Sequence, residues 1–156
     1  ASPQMGVSYL SNIADSDGLE AENDANGAGT ADGISDAVAG ISGYIAADFK
    51  NRLFFIAEYT GATSEFAAGE MAFAAGTPRP RAWNTELAYV FANDCGLGIK
   101  YEGTDDGGTL LPETRYGGIA FCQPFTGGYL GLECLEEEYA NGDENLAVTA
   151  QLAYAF

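Results

Sequence analysis

The chain has no histidine, and it carries only six lysines and arginines against 23 aspartates and glutamates. Without histidine it loses the side chain that titrates near neutrality, which is the usual general base and the commonest metal ligand. No serine then has an evident base to activate it, so an enzyme is not expected. A net charge of −17 offers no basic surface to nucleic acid. There are only three cysteines and no Cys-x-x-Cys spacing, which removes support for structural zinc or attached haem. No apolar run reaches the roughly 18 residues that a membrane-spanning helix requires. That absence leaves open the other structure that satisfies all its backbone groups in lipid, a closed β-barrel. No cleavable signal pattern is visible, and Ala1-Ser2-Pro3 reads as a mature start or a cut fragment.

What is present favours strands. Apolar residues make up 47% of the 156, enough to exclude a disordered polar chain and to fill a single domain over 1–156. Twenty-one glycines supply turns, and nine tyrosines with nine phenylalanines suit a pleated surface. Apolar and polar residues alternate in eight segments, at 5–14, 38–49, 52–65, 81–92, 97–105, 114–125, 129–139 and 147–156. In the third, Leu53, Phe55, Ala57, Tyr59 and Gly61 share one face, while Arg52, Phe54, Ile56, Glu58 and Thr60 share the other. In the sixth, Ile119 and Phe121 fall with Arg115, so its apolar face is ambiguous. The Ala-rich stretch 31–47 competes as a helix, but Gly33, Gly40 and Gly43 each cost roughly 1 kcal/mol there. A short helix inside 28–37 remains compatible with the pattern.

The fold class expected is all-β, an antiparallel up-and-down transmembrane β-barrel with about eight strands. Segments of about nine to eleven residues cross a membrane when tilted. The connections alternate long and short: 15–37 is long, Lys50-Asn51 short, 66–80 long, Asp94-Cys95-Gly96 short, 106–113 longer, Thr126-Gly127-Gly128 short. Outer-membrane barrels keep their long loops at the outer end in this way. Phe49, Phe55, Phe91, Phe125 and Phe156 fall near the short-turn end, and Tyr59, Trp83, Tyr101 and Tyr116 near the long-loop end, as two interfacial belts would require.

Several groups are candidates for a role. The polar face is expected to bring Asp48, Arg52, Glu58, Glu86, Lys100, Glu102, Arg115 and Glu133 into the lumen, either pairing as a structural plug or lining a path for solute. The acidic loop presents Asp15, Asp17, Glu20 and Glu22, with Asp24 beyond, as weak candidate calcium ligands; otherwise no cofactor is expected. Arg79 and Arg81 are the basic spot of the outer loops and could meet an anion. If strands five and six pair around 104 with 114, Cys95 approaches Cys122 closely enough for a disulfide, in keeping with an oxidising periplasm, and Cys134 is left as a small buried hydrophobe.

The strings SYLSNIADSDGLE at 8–20, AWNTELAYVF at 82–91, YEGTDD at 101–106, LPETRYGG at 111–118 and AVTAQLAYAF at 147–156 resemble the C-terminal part of the LbtU-type siderophore porins. The resemblance runs in order over nearly the whole chain. It implies a bacterial outer-membrane barrel, with its loops facing the cell exterior, that passes ferric siderophore or another small solute. Members of that family are longer, so the chain is either part of a wider barrel or a small eight-stranded relative. The terminal Val148, Ala150, Leu152, Tyr154 and Phe156, spaced by two, resemble the signal such barrels present to the insertion machinery. Outer-membrane lipid, lipopolysaccharide and that machinery are therefore the expected partners, together with a homo-oligomer. The rivals are a pore-less eight-stranded barrel acting structurally or through its acidic outer loops, and a soluble ligand-binding barrel with its apolar face inward.

Overall fold

In a computed structural model the described residues are 2–14, 34–71, 74, 76–108 and 111–155. They form eight strands and no helix: β1 (Ser2–Leu10), β2 (Gly40–Phe49), β3 (Leu53–Ala62), β4 (Arg81–Val90), β5 (Cys95–Asp105), β6 (Thr114–Cys122), β7 (Gly128–Glu138) and β8 (Glu144–Tyr154). Every neighbour in sequence is a neighbour in the sheet and runs antiparallel. The all-β, up-and-down architecture is thus as the alternation requires. The strand Gly40–Phe49 replaces the rival helix over the C-terminal half of the Ala-rich stretch, and residues 34–39 before it are in neither helix nor strand.

The turns explain why the strands reverse where they do. Lys50 and Asn51 both take positive φ, 58° and 55°, the left-handed central pair of a primed turn that the Arg52 amide closes by donating to Phe49 O at 3.2 Å. Asp48 stabilises this turn by accepting the Asn51 amide at 2.7 Å. At the β7–β8 turn, Gly142 stands at φ 82°, where an L side chain would be strained, and its amide donates to Tyr139 O at 2.8 Å.

The register is level from edge to edge. Ser2 pairs with Asp48, then in turn come Phe54, Ala88, Gly98, Ile119, Glu133 and Thr149. Closing a sheet into a barrel needs the two edges to meet with a fixed stagger. The sheet is open: among the described residues β1 and β8 each have one strand neighbour, and the closure expected from the sequence is not present.

The sheet has two unlike faces. Met5, Val7, Ile41, Ile45, Leu53, Phe55, Leu87, Tyr89, Leu97, Ile99, Leu130, Leu132, Val148 and Leu152 share one, by register and by period-two alternation. On the other lie acids, amides and the two cations Lys100 and Arg115, while the long-loop end of the apolar face carries Arg81, Asp105, Glu136, Glu138 and Glu144. On β5 to β7 the polar face is the more sheltered one, so the sheet bends toward it. Ala88 and Leu135 are buried on the polar face, and the other buried apolar residues gather at the long-loop end, where Ala14, Val38, Ala62, Phe66 and Met71 pack with Ile13, Ile34 and Ala74.

Candidate solute-lining face

One row of the polar face crosses the sheet at a single level. Tyr44 of β2 pairs with Glu58 of β3, then follow Asn84, Glu102, Arg115, Glu137 and Asn145, one from each remaining strand. Cross-strand partners on one face lie close enough to interact directly, and here they do. Asn84 Nδ2 donates to Glu58 Oε2 at 3.5 Å. Arg115 Nη1 reaches Glu102 Oε2 at 3.1 Å, and Arg115 Nε approaches Glu137 Oε1 at 2.9 Å. That second contact lies off the N–H direction, so it is an ion contact rather than an aligned hydrogen bond. Glu137 also accepts from Asn145 Nδ2 at 3.1 Å and from the Tyr139 hydroxyl at 3.3 Å. Burial first, and the Glu137 carboxylate next, hold the Tyr139 phenol above its ordinary pKa, just past the end of β7.

One step nearer the short turns, Lys100 Nζ bridges Glu102 at 3.0 Å and Glu133 at 3.4 Å. The two cations of the strands' polar face are therefore each clamped between two carboxylates. Such part-exposed pairs contribute on the order of 0–1 kcal/mol each, so the ladder matters more for where charge sits than for stability. Gly117 lets β6 lie close against β7: a Cβ there would run into the Cys134 carbonyl.

The sequence-derived lumen set is only partly united. Glu58, Lys100, Glu102, Arg115 and Glu133 join the row or its neighbour. Asp48 faces the same way but is engaged in the turn, and Arg52 lies exposed in that turn rather than in β3. Glu86 lies on the polar face and forms no ion pair among the described residues. Glu137 and Asn145 were missed by the pattern. The run Glu136-Glu137-Glu138 hides which acid points inward, although Glu137 is four residues from Glu133 and so on its face, and Asn145 lay in what reads as a connection. Ile119 and Phe121 do share the polar face with Arg115, which resolves the sixth segment.

The candidate calcium ligands Asp15, Asp17, Glu20 and Glu22 lie outside the described residues, as does Phe156 of the terminal signal. Val148, Leu152 and Tyr154 of that signal stand exposed on the apolar face. Among the described residues no group of three or more His, Cys, Asp or Glu is arranged to hold a metal. The two loop arginines are engaged locally: Arg79 Nε donates to Ala62 O at 3.0 Å, the Arg79 amide to Asp106 at 2.8 Å, and Arg81 pairs with Asp105 at 3.4 Å. Cys95 and Cys122 stand directly opposite each other across β5 and β6 and are joined as a disulfide. Cys134 is a free thiol exposed on the apolar face, not the buried hydrophobe expected, because no described residue covers it there.

At the long-loop end, a hollow of about 390 Å³ opens beneath the loops, lined by Ser8, Leu10, Ile13, Ser42, Thr60 and Thr104 among others. Ser8 and Ser42 hydrogen-bond across it at 2.7 Å.

These features define a class: an open, eight-stranded antiparallel meander with one apolar face and one face carrying a charge ladder. The particular likeness is to a UPF0422 protein of Coxiella burnetii (strain RSA 493 / Nine Mile phase I), 33% identical over 119 residues, or 74% of this chain and 24% of that protein. The chain thus spans about a quarter of the length of the curated relative it matches. No family model matches the chain. No solved structure matches it.

Proposed function

We propose that the chain forms the wall of an outer-membrane β-barrel of porin type, its apolar face toward lipid and its charge ladder toward an aqueous interior through which a small solute passes. The observation that carries this reading is the uncovered apolar face. Leu152 is 76% exposed, Met5 75% and Ile99 64%, and the same face continues over all eight strands. Water-soluble monomers rarely expose contiguous apolar patches beyond a few hundred Å². Lipid removes that penalty, while the paired charges opposite need water or each other. The Cys95–Cys122 disulfide at the short-turn end supports an oxidising, periplasm-facing side. The resemblance to LbtU-type siderophore porins makes a ferric siderophore the first solute to try. Under this reading the sheet's free edges are closed by further strands, since a bilayer tolerates no unpaired sheet edge.

A second reading, a pore-less barrel working at the cell surface, is supported by the loop knot of Phe66 and Met71 that covers part of the long-loop end. Single-channel recording after refolding into bilayers separates the two. Steady conductance is the result the porin reading requires. A folded, inserted but silent chain would give the role to the loops, and a soluble folded product would overturn the membrane assignment.

A further inference from the structure

The polar face is not uniform. On β5 to β7 its acids are tied to Lys100 and Arg115. On β2 to β4 it presents Asp48, Glu58 and Glu86, with no lysine or arginine on those strands facing the same way. Glu86 is the sharpest case. Lys100 stands directly opposite it in register, yet the Lys100 ammonium turns away to Glu102 and Glu133. The carboxylate left over lines a recess of about 310 Å³ on the first four strands, within the size range of small-molecule sites. Ser2 and Gln4 of β1, Asp48 of β2, and Phe54 and Ile56 of β3 line it too, with Ala46, Ala47 and Phe55 filling the rest; among the described residues no cationic side chain takes part. Asp48 spends one oxygen on the turn amide of Asn51, but its charge stays at the rim.

We propose that this recess is a subsite for a small organic cation, an alkylammonium or polyamine-like group, with Glu86 as its principal charge partner and Phe54 and Ile56 as the wall for its methylenes. The inference deepens the solute-passing reading and rests on it, by naming the charge of the solute. The chemistry is direct. An unpaired carboxylate at the edge of a low-dielectric wall attracts a cation, a charge-assisted hydrogen bond is about twice as strong as a neutral one, and an aromatic face favours a cation over an anion. An anionic solute finds nothing there to pair with.

The test is equilibrium binding of spermidine to the folded chain in zwitterionic detergent micelles, with citrate as the anionic probe. Saturable spermidine binding is expected, weakened about tenfold or more by Glu86→Gln, and nearly unchanged by Glu144→Gln, which removes an equal charge from the apolar side at the far end of β8. Citrate should not compete. Heat-modifiable mobility checks that both variants fold. Equal weakening by the two substitutions, tighter binding of citrate, or no saturable spermidine binding would overturn the proposal. Because the assay needs no current, a chain that binds through Glu86 but is silent in bilayers keeps the subsite and loses the porin reading. One that conducts without Glu86-dependent binding does the reverse.

Discussion

The chain's two methionines sit in opposite circumstances. Met71 is 1% exposed, packed among loop residues with Phe66, while Met5 is 75% exposed on the outer face of β1. The loop knot obeys the ordinary rule of water: apolar groups cluster and are covered. The strand face breaks that rule over eight strands, most strongly on the side of Met5, Ile99 and Leu152, while Phe54 and Ile56 on the other side are 38% and 37% exposed. A sequence that buries a phenylalanine and a methionine in its loops is able to build a core. On the barrel-wall reading proposed above, the strands are apolar outward because lipid is their solvent, and the polar side is the one that meets water. The contrast between knot and sheet face is then one of two media, with the boundary at the long-loop end.

The largest expected effect comes from removing the side chain that organises the watery region. Phe66→Ala leaves a cavity in the knot and should cost about 3–5 kcal/mol of local stability. Amide exchange in the loop residues around Thr63 and Phe66 should rise, since their amides are held by Ala39 and Pro78 carbonyls at 2.8 and 2.9 Å. The strand amides should be unmoved. If strands and loop loosen together, the two regions form one cooperative unit and the contrast falls.

A somewhat smaller effect is expected on the face proposed to meet lipid. Ile99→Arg places a charge amid the outer face and should destabilise the bilayer-inserted chain by about 2–4 kcal/mol. Thr149→Arg, exposed on the polar face and facing Glu133 in register, should stay within about 0.5 kcal/mol. Denaturant refolding in lipid vesicles measures both. Equal penalties for the two faces would mean that neither meets lipid.

The strand region was the legible one. Period-two alternation places all eight strands, because each side chain's face is decided locally and a slip of one residue would reverse it. The boundaries drift where composition blurs, as at Asn145, read as connection but paired with Glu137. The ladder was half legible: alternation gives Lys100, Glu102, Arg115 and Glu133, but not that they and Glu137 share adjoining rows, because the register between β6 and β7 is set by non-local pairing. The loop knot was not legible at all. Phe66 and Met71 sit in an Ala- and Gly-rich stretch with no period, and their partners Ala14 and Val38 come from another loop. Closure was over-read for the same reason, since stagger accumulates across the whole sheet and belongs to no single segment.

The smallest effect, and the most local, concerns what ties the knot's two loops together. Glu70 accepts the Ser35 hydroxyl and amide, both at 2.7 Å, and the Asp36 amide at 3.2 Å, while Asp36 in turn accepts the Ala67 amide. These bonds, the Ser35 hydroxyl's foremost, hold the Glu70 carboxylate below its ordinary pKa, against a smaller opposing push from desolvation. A depressed folded-state pKa stabilises the knot above the unfolded glutamate value, about pH 4.3, and that stabilisation is lost as the pH falls through the lower folded value. The Ser35 and Asp36 amide resonances should therefore shift on acidification with a midpoint below that of a free glutamate. Glu70→Gln should flatten the shift while leaving the resonances of the polar row at Glu102 and Arg115 in place. A midpoint at or above the free value would mean that the bonds to Ser35 do not hold in solution. Movement of the row in step with Ser35 would instead mean that the outer loops and the lining face are coupled, so that acid at the mouth is felt along the wall.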